Sequence, residues 1–302
     1  IERGNNYIET KSLYGKVASR IIKTKDKKQR DIEFKALCTT INGILNGKNG
    51  FVVDNSFNKK AIYFNRTFFS EKAASDHLIK ILQESKPEAL DSNKMVERAR
   101  EIIRNTEGIE LNNNQQQFIK AVCENKITIL IGPAGTGKSS AISALCKAYK
   151  HETGKEAYVL APTGLAAQNT AQKAGVSNYS TIHLYASMDS KINDYALELP
   201  ELNNAIGDNI QGLVIIEEAS MCDIVMTSRL LQKTDINSRL VFVGDPYQLP
   251  PVGPGKVFQE LIELGEALLP NMAIIELSAI YRQENAPLLE LADAVRSANI
   301  DK

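Results

Sequence analysis

Tryptophan is absent from the 302-residue sequence, and cysteine and histidine are scarce, with four and three residues respectively. The cysteines, Cys38, Cys123, Cys146 and Cys222, lie too far apart for metal-ligand spacing and are too few for a disulfide framework, so we expect a reducing, cytoplasmic location. No apolar run approaches the roughly 18 residues of a membrane span, and we expect no membrane partner. The chain begins at Ile1, without methionine or a secretory signal, which predicts a piece of a longer protein.

The charged residues are abundant but unevenly placed along the chain. Residues 1–110 contain 21 Lys and Arg against 15 Asp and Glu, whereas residues 111–302 contain 15 against 21. A basic half therefore precedes an acidic half, and its densest basic run extends from Lys23 to Arg30. Such a run indicates either a solvated surface or a phosphate-binding patch.

The first part of the chain has the pattern of a small, mostly helical domain. Apolar periodicity predicts a helix, two short strands and two further helices, the last two capped by serine and aspartate. The predicted elements are a helix over 31–46, strands over 50–53 and 61–64, and helices beginning at Ser70 and Asp91. This order is typical of a winged-helix-like unit, which we place at residues 1–105.

The second part alternates short apolar runs with helical stretches. The runs are rich in Ile and Val, as is typical of strands that are covered on both faces. The predicted strands are 127–131, 158–161, 213–216, 240–243 and 273–277. The alternation predicts an α/β fold over residues 106–302, a parallel sheet with helices on both faces.

A complete phosphate-loop motif follows the first of these strands. The segment fits G-x-x-x-x-G-K-[ST] and precedes a helix predicted from Ser140 to Lys150. Glycines let backbone amides approach phosphates, Lys138 reaches the β- and γ-phosphates, and Ser139 can hold Mg²⁺. The residues predicted to bind a nucleoside triphosphate are Gly132, Pro133, Ala134, Gly135, Thr136, Gly137, Lys138, Ser139 and Ser140.

Two later strands end in polar residues suited to phosphate chemistry. The strand 213–216 is followed by Glu217 and Glu218, of which one can order the metal while the other accepts a proton from the attacking water. Gln248 follows the strand 240–243 and could donate an amide hydrogen bond to the γ-phosphate. Since carboxyl ends of parallel strands share one edge, we expect all three side chains near the phosphate loop.

From about residue 105 onward, the order of the motifs and the residues within them resemble the RecD-like branch of superfamily 1 DNA helicases. Gln115, four residues after Leu111, is similar to the family's adenine-reading Q motif, and 132–139 to its motif I. Segments 217–221 and 244–251 are similar to motifs II and III, and 281–283 to motif IV, whose arginine, here Arg282, touches the γ-phosphate. The resemblance implies a RecA-like P-loop NTPase that uses ATP and Mg²⁺ and moves 5′→3′.

Two further segments resemble those that contact single-stranded DNA in this family. Residues 161–167 are similar to motif Ia and 181–183 to the segment after it, which implies DNA contacts at Pro162, Thr163, Thr181 and His183. Relatives insert a strand-splitting pin next, over positions equivalent to 184–212. Here that segment is acidic and rich in asparagine, and either a degenerate pin or a plain surface excursion fits it.

Three departures from the family pattern bear on activity. Glu217 stands where the family usually has aspartate, and Leu165 stands where it usually has a basic residue. Nothing resembles the later motifs, which supply the second motor lobe and its arginine finger. We therefore expect the chain to bind nucleotide but to turn it over poorly by itself.

Three functional hypotheses follow. The first is part of an ATP-driven DNA helicase that acts in repair or recombination and binds single-stranded DNA. The second is a nucleotide- and DNA-binding regulatory module that does not translocate. The third is the motor portion of a larger multidomain protein such as a conjugative relaxase, whose metal-binding histidine cluster this chain does not itself supply.

Overall fold

The first part of the structure is a small antiparallel sheet, with two helices between its first and second strands. The computed structural model describes residues 7–22, 24, 26–46, 50–54, 61–186, 209–268 and 271–278. The elements are β1 (Tyr7–Glu9), α1 (Thr10–Ile21), α2 (Lys27–Asn46), β2 (Phe51–Asp54) and β3 (Ala61–Phe64), with strand order β1-β3-β2. Ile41 and Ile62 pack together in the core of this part. The predicted helix and hairpin are present, and β1 adds a third strand to the hairpin.

Two further helices connect this sheet to the rest of the chain: α3 (Asn65–Glu84) and α4 (Ser92–Glu107). Asp91 caps α4 as predicted, because its Oδ1 accepts hydrogen bonds from the backbone amides of Asn93 and Lys94. The prediction that Ser70 caps α3 is wrong. The helix begins five residues earlier, directly after β3, and Ser70 is buried within it.

The remaining elements form a six-stranded sheet in the order β6-β5-β7-β8-β4-β9, and all of its strand pairs are parallel. The α/β fold with a parallel sheet is thereby confirmed, and the predicted strands match to within one residue. The elements are α5 (Asn113–Glu124), β4 (Ile127–Ile131), α6 (Lys138–Thr153), β5 (Tyr158–Ala161), α7 (Gly164–Ala174), β6 (Tyr179–Thr181), α8 (Ile182–Tyr185), β7 (Leu213–Ile216), a 3-10 helix (Ala219–Met221), α9 (Ile224–Gln232), β8 (Arg239–Gly244), α10 (Val257–Leu268) and β9 (Met272–Glu276).

Helices cover both faces of this sheet, and each face has its own apolar core. One core joins α4, α5, α6 and α7 to the strands, with Met95, Ala99 and Ile103 of α4 fully buried in it. The other joins α3, α9 and α10 to the opposite face and includes Ala74 and Ile81. The proposed domain boundary at residue 105 therefore separates two stretches of chain that share a hydrophobic core.

A buried arginine holds the segment between α3 and α4 against the parallel sheet. Arg239, at the start of β8, donates to the backbone oxygens of Val122 (3.2 Å), Asn125 (2.6 Å) and Glu88 (2.9 Å). Three carbonyl oxygens accept hydrogen bonds from the guanidinium, so the end of α5 and the segment before α4 are held against the same strand. Glu88 also lines, with Tyr149 and Gly212, a cavity of about 430 Å³ at this edge of the sheet.

Two expectations from the composition concern disulfide bonds and membrane-spanning helices. The four cysteines are free thiols, and burial raises the pKa of Cys146 to about 12 and that of Cys123 to about 11. Among the helices of the described ranges, none combines the length and the apolar character that a membrane span requires.

Candidate functional site

The phosphate loop connects β4 to α6 at the carboxyl edge of the sheet. Its glycines are required for two separate reasons. Gly135 and Gly137 both have a φ of 86°, in the left-handed region that favours glycine. Gly132 has an ordinary φ, but a Cβ there would lie 2.6 Å from the backbone oxygen of Leu277. Helix α6 begins at Lys138, two residues before the predicted start, because Gly137 already serves as its N-cap residue.

The side chain of Lys138 folds over this loop. Its Nζ donates to the carbonyl oxygen of Pro133 at 2.9 Å and also to that of Gly132. The buried hydroxyl of Thr136 donates to the same Pro133 oxygen at 2.8 Å. The loop thus holds an ammonium group at its centre, where the β- and γ-phosphates of a nucleotide would be met. Ser139 and Ser140, both half-buried, follow in the first turn of α6.

Gln115 packs against the loop from α5. It is buried and forms a capping box, since its backbone amide donates to Asn112 Oδ1 (2.8 Å) while its Oε1 accepts from the Asn112 amide (3.0 Å). Its Nε2 donates to the carbonyl oxygen of Gly137 at 3.2 Å. The structure therefore brings Gln115 to the nucleotide site, and adenine reading stays a prediction.

Glu217 follows β7 and faces the loop. Its Oε1 accepts a long hydrogen bond, 3.4 Å, from the hydroxyl of Thr170, while its Oε2 is buried and accepts none from any residue that the structure describes. Burial raises the pKa of this carboxyl to about 7, although the nearby charge of Lys138 acts in the opposite direction. A buried carboxylate oxygen without a partner is a ligand that Mg²⁺ prefers, so the site fits a divalent cation.

Glu218 has a strained backbone. Its φ of 52° lies in the left-handed region, where a residue other than glycine costs about 1–3 kcal/mol. The 3-10 helix that follows fixes this conformation, because the amide of Met221 donates to the Glu218 carbonyl oxygen at 2.9 Å. Its side chain accepts from the hydroxyl of Thr163, with 3.4 Å between Thr163 Oγ1 and Glu218 Oε2. Strain of this kind is typical of functional sites.

Gln248 lies in the exposed loop after β8, near the paired carboxylates. Its Oε1 accepts from the hydroxyl of Ser220 at 3.3 Å, and its amide nitrogen on the backbone donates to the Asp245 carbonyl oxygen at 3.1 Å. Asp245, the residue after the strand, is almost fully buried. The loop therefore holds the Gln248 side chain beside the turn that contains Glu218.

The predicted DNA contacts lie together at the same edge of the sheet. Strands β5 and β6 are neighbours with Ala161 opposite Thr181, so Pro162 and Thr163 leave the sheet beside Thr181 and His183. Each threonine is an N-cap: Thr163 Oγ1 accepts from the Ala166 amide (3.3 Å), and Thr181 Oγ1 from the Leu184 amide (3.2 Å). Thr163 and His183 are exposed to solvent. The DNA role of these residues stays a prediction.

Sequence reasoning missed two residues of α7 that contact the nucleotide site. Thr170 bonds Glu217, and Lys173 Nζ donates to the hydroxyl of Ser140 at 3.0 Å. Their i, i+3 spacing places both on one face of α7, and that spacing is the only sequence signal for them. Arg282 and residues 187–208 of the proposed pin lie outside the described residues.

Comparisons with known proteins show which chains this one is similar to. A family model described as an AAA domain matches residues 110–302. An uncharacterized protein of Methanocaldococcus jannaschii is 30% identical over 97% of this chain and 27% of its own length. The ATP-dependent RecD2 DNA helicase of Deinococcus radiodurans is 28% identical over 60% of this chain and 23% of its own length. A crystal structure of the Pif1 helicase from Candida albicans is 25% identical, with a TM-score of 0.45 over 62% of this chain and 44% of that chain.

The chain thus spans about a quarter of the length of these curated relatives. The family match, however, begins just before α5 and includes the phosphate loop, the paired carboxylates and both threonine-capped turns. These are the segments on which the resemblance to helicases rests. The chain therefore belongs to the AAA-domain family, among the RecD-like superfamily 1 helicases.

Proposed function

We propose that this chain is the nucleotide-hydrolysing part of an ATP-dependent DNA helicase, which couples ATP hydrolysis to 5′→3′ movement on single-stranded DNA. One observation is central. Lys138, folded over the glycine loop, lies close enough to Glu217 to affect its pKa, and the buried Oε2 of Glu217 has no partner within the described residues. That arrangement has the positive charge and the carboxylate ligand that a nucleoside triphosphate with its metal requires.

Each residue has a distinct part in this proposal. Ser139 and Glu217 would hold Mg²⁺, which when bound neutralises phosphate charge. Lys138 binds the β- and γ-phosphates, and Glu218 accepts the proton of the attacking water. Gln248 and Arg282 contact the γ-phosphate, and Gln115 the adenine.

Single-stranded DNA is the proposed partner at the neighbouring turns. Thr163 is exposed at the N-terminus of α7, an 11-residue helix whose dipole and free amides favour a phosphate group. Thr181 and His183 lie beside it, and Pro162 shapes the turn. The carboxyl edge of the sheet would thereby bind nucleotide near β4 and DNA near β5 and β6.

Nucleotide binding is tested by calorimetry with Mg-ATP and Mg-ADP. We expect micromolar affinity in the wild type and a loss of at least tenfold in Lys138→Ala, since the only ammonium within the loop is removed from the described site. The control is Lys150→Ala, in the last turn of the same helix, where the ammonium pairs with Glu156. Equal affinity in Lys138→Ala and the wild type would show that the loop is not the nucleotide site.

Helicase activity and its direction are tested on the intact protein with duplexes that carry a single 5′ or a single 3′ tail. A labelled strand should be displaced from a duplex with a 5′ single-stranded tail and not from one with a 3′ tail. Displacement from the 3′-tailed duplex alone would contradict the proposed direction.

A second function is favoured by Glu217 itself, which replaces the family's usual aspartate. A regulatory module that binds nucleotide without hydrolysing it would show no Mg²⁺-dependent ATPase in the intact protein. In a working ATPase, Glu218→Gln should abolish hydrolysis while Mg-ATP binding persists, and Glu217→Asp should preserve or raise the rate. ATPase assays of the wild type and of these two variants over a range of Mg²⁺ concentrations separate the two functions.

A further inference from the structure

A cavity lies at the amino edge of the parallel sheet, opposite to the edge that carries the phosphate loop. Its volume is about 430 Å³, and Gly212 and Arg239 place it where β7 and β8 begin. The segment before α4 and the last part of α6 complete its wall. Cavities of this size hold small organic ligands in other proteins, and the proposed function leaves this one unused.

The charged groups that line the cavity are mostly cationic. Lys86, Lys155 and Arg239 line it together with one carboxylate, that of Glu88. The Glu88 carboxylate pairs with Lys155 Nζ at 2.8 Å, and both side chains are exposed to solvent. Three positive charges against one negative charge leave two positive charges without a counter-charge in the lining. The cavity therefore favours an anionic ligand.

Arg239 gives the most specific indication of that ligand. The residue is only 8% exposed, and its guanidinium has five N–H hydrogens to donate. The bonds to the oxygens of Val122, Asn125 and Glu88 use three of them, and the other two have no acceptor in the described part of the chain. Because a nearly buried charged donor is costly to leave without an acceptor, a ligand with several acceptor oxygens would be favoured beside it.

The neighbouring residues add a further donor and an apolar wall. Asn237 Oδ1 accepts from the backbone amide of Lys86 at 2.9 Å, which leaves its Nδ2 as a donor without an acceptor among the described residues. Buried Tyr149 and half-buried Leu90 supply apolar surface. Gly212 has a φ of 114°, and a Cβ there would lie 3.0 Å from the Tyr149 hydroxyl, so only glycine fits this part of the wall without strain.

We propose that this cavity binds a small phosphomonoester, an organic molecule with one terminal phosphate group. Such a group carries a charge of about −1.5 to −2 at pH 7, which matches the two unbalanced positive charges. Its three terminal oxygens would accept from Arg239, Asn237 and Lys86, while the organic part would contact Tyr149 and Leu90. Inorganic phosphate offers the same oxygens but would leave the apolar wall without contacts. The inference is independent of the proposed function, and it involves no covalent step.

The test is calorimetry with ribose 5-phosphate, inorganic phosphate and ribose as probes. The protein is the full chain with Lys138→Ala, so that phosphate binding at the glycine loop is weakened in every titration. We expect ribose 5-phosphate to bind, inorganic phosphate to bind at least about fivefold more weakly because it lacks the organic part, and ribose to give no signal.

Substitutions of Lys86 show whether the bound molecule occupies the cavity. Lys86→Gln removes the charge at similar length and should weaken binding of ribose 5-phosphate about tenfold, the loss expected for one charge-assisted hydrogen bond. Lys86→Arg keeps the charge and should bind like the parent protein. The matched control is Lys120→Gln, an exposed lysine of α5 outside this lining, which should leave the affinity unchanged. Arg239 is kept intact because it also holds the fold together.

Three results would overturn the inference. The first is no binding of ribose 5-phosphate up to about 10 mM. The second is equal affinity in Lys86→Gln and the parent protein, which would place the bound molecule elsewhere. The third is inorganic phosphate binding as tightly as ribose 5-phosphate, which would mean that the cavity does not recognise an organic group.

Discussion

Replacing Glu217 with glutamine should change how the stability of the nucleotide-free protein depends on pH. The carboxyl is buried, and its pKa is raised from 4.5 to about 7. In the unfolded chain the same group ionises near its ordinary pKa. Between these two values the folded protein retains a proton that the unfolded chain has lost, so folding becomes less favourable as pH increases.

The size of the effect follows from the shift. Each pKa unit corresponds to about 1.4 kcal/mol, so a rise from 4.5 to about 7 amounts to roughly 3 kcal/mol. Below pH 4.5 the carboxyl is neutral in both states and contributes nothing. Its penalty accumulates as pH rises and reaches its full value above about pH 7. Glu217→Gln is neutral throughout and should not show this loss.

The assay is urea unfolding of wild type and Glu217→Gln between pH 5 and 8.5 in buffer with EDTA. The useful quantity is the difference in unfolding free energy between the two proteins, because all other ionisable groups cancel. A fixed cost of burying the glutamine amide also cancels when this difference is compared across pH. We expect it to shift by about 2–3 kcal/mol in favour of the variant on going to high pH. A difference that is constant with pH would refute a buried, raised Glu217.

Three further substitutions and one control, Gly164→Ala, test the packing by urea unfolding. Gly132→Ala forces a Cβ to within 2.6 Å of a backbone oxygen and should cost about 1–3 kcal/mol, whereas Gly164→Ala, whose nearest atom is 3.7 Å away, should be neutral or slightly stabilising. Gly253→Ala places its Cβ 1.9 Å from the carboxylate that caps α9 and should also cost at least about 1 kcal/mol. Arg239→Met leaves three carbonyl groups without their donor and should cost at least about 2 kcal/mol. A cost for Gly164→Ala that equals that of Gly132→Ala would contradict the steric explanation.

The strands of the parallel sheet that have four or more residues could be predicted. Because they are buried on both faces, their sequences are continuous apolar runs. The phosphate loop could be predicted because its glycines and Lys138 have fixed spacing. The three-residue strands β1 and β6 could not, since they depend on the edge of a neighbouring strand rather than on their own composition.

The helix starts and the side-chain contacts show the same limit. Ser70 has the chemistry of an N-cap, but β3 runs directly into α3, so the helix begins before that serine is reached. The bond from Thr170 to Glu217 joins residues 47 positions apart, and no local pattern specifies such a pair. Local signals predicted where the functional groups lie along the chain, while tertiary packing determines which of them meet.

The shared core described above has a practical consequence for anyone who wishes to shorten or recombine this protein. A recombinant chain that starts at residue 106 would strip α4 from α6 and expose the apolar surface under Met95, Ala99 and Ile103. It would also delete Glu88, whose backbone oxygen accepts a hydrogen bond from Arg239. An exchange of modules with a relative should therefore cut before α3, at the small antiparallel sheet, so that both helices travel with the strands they cover.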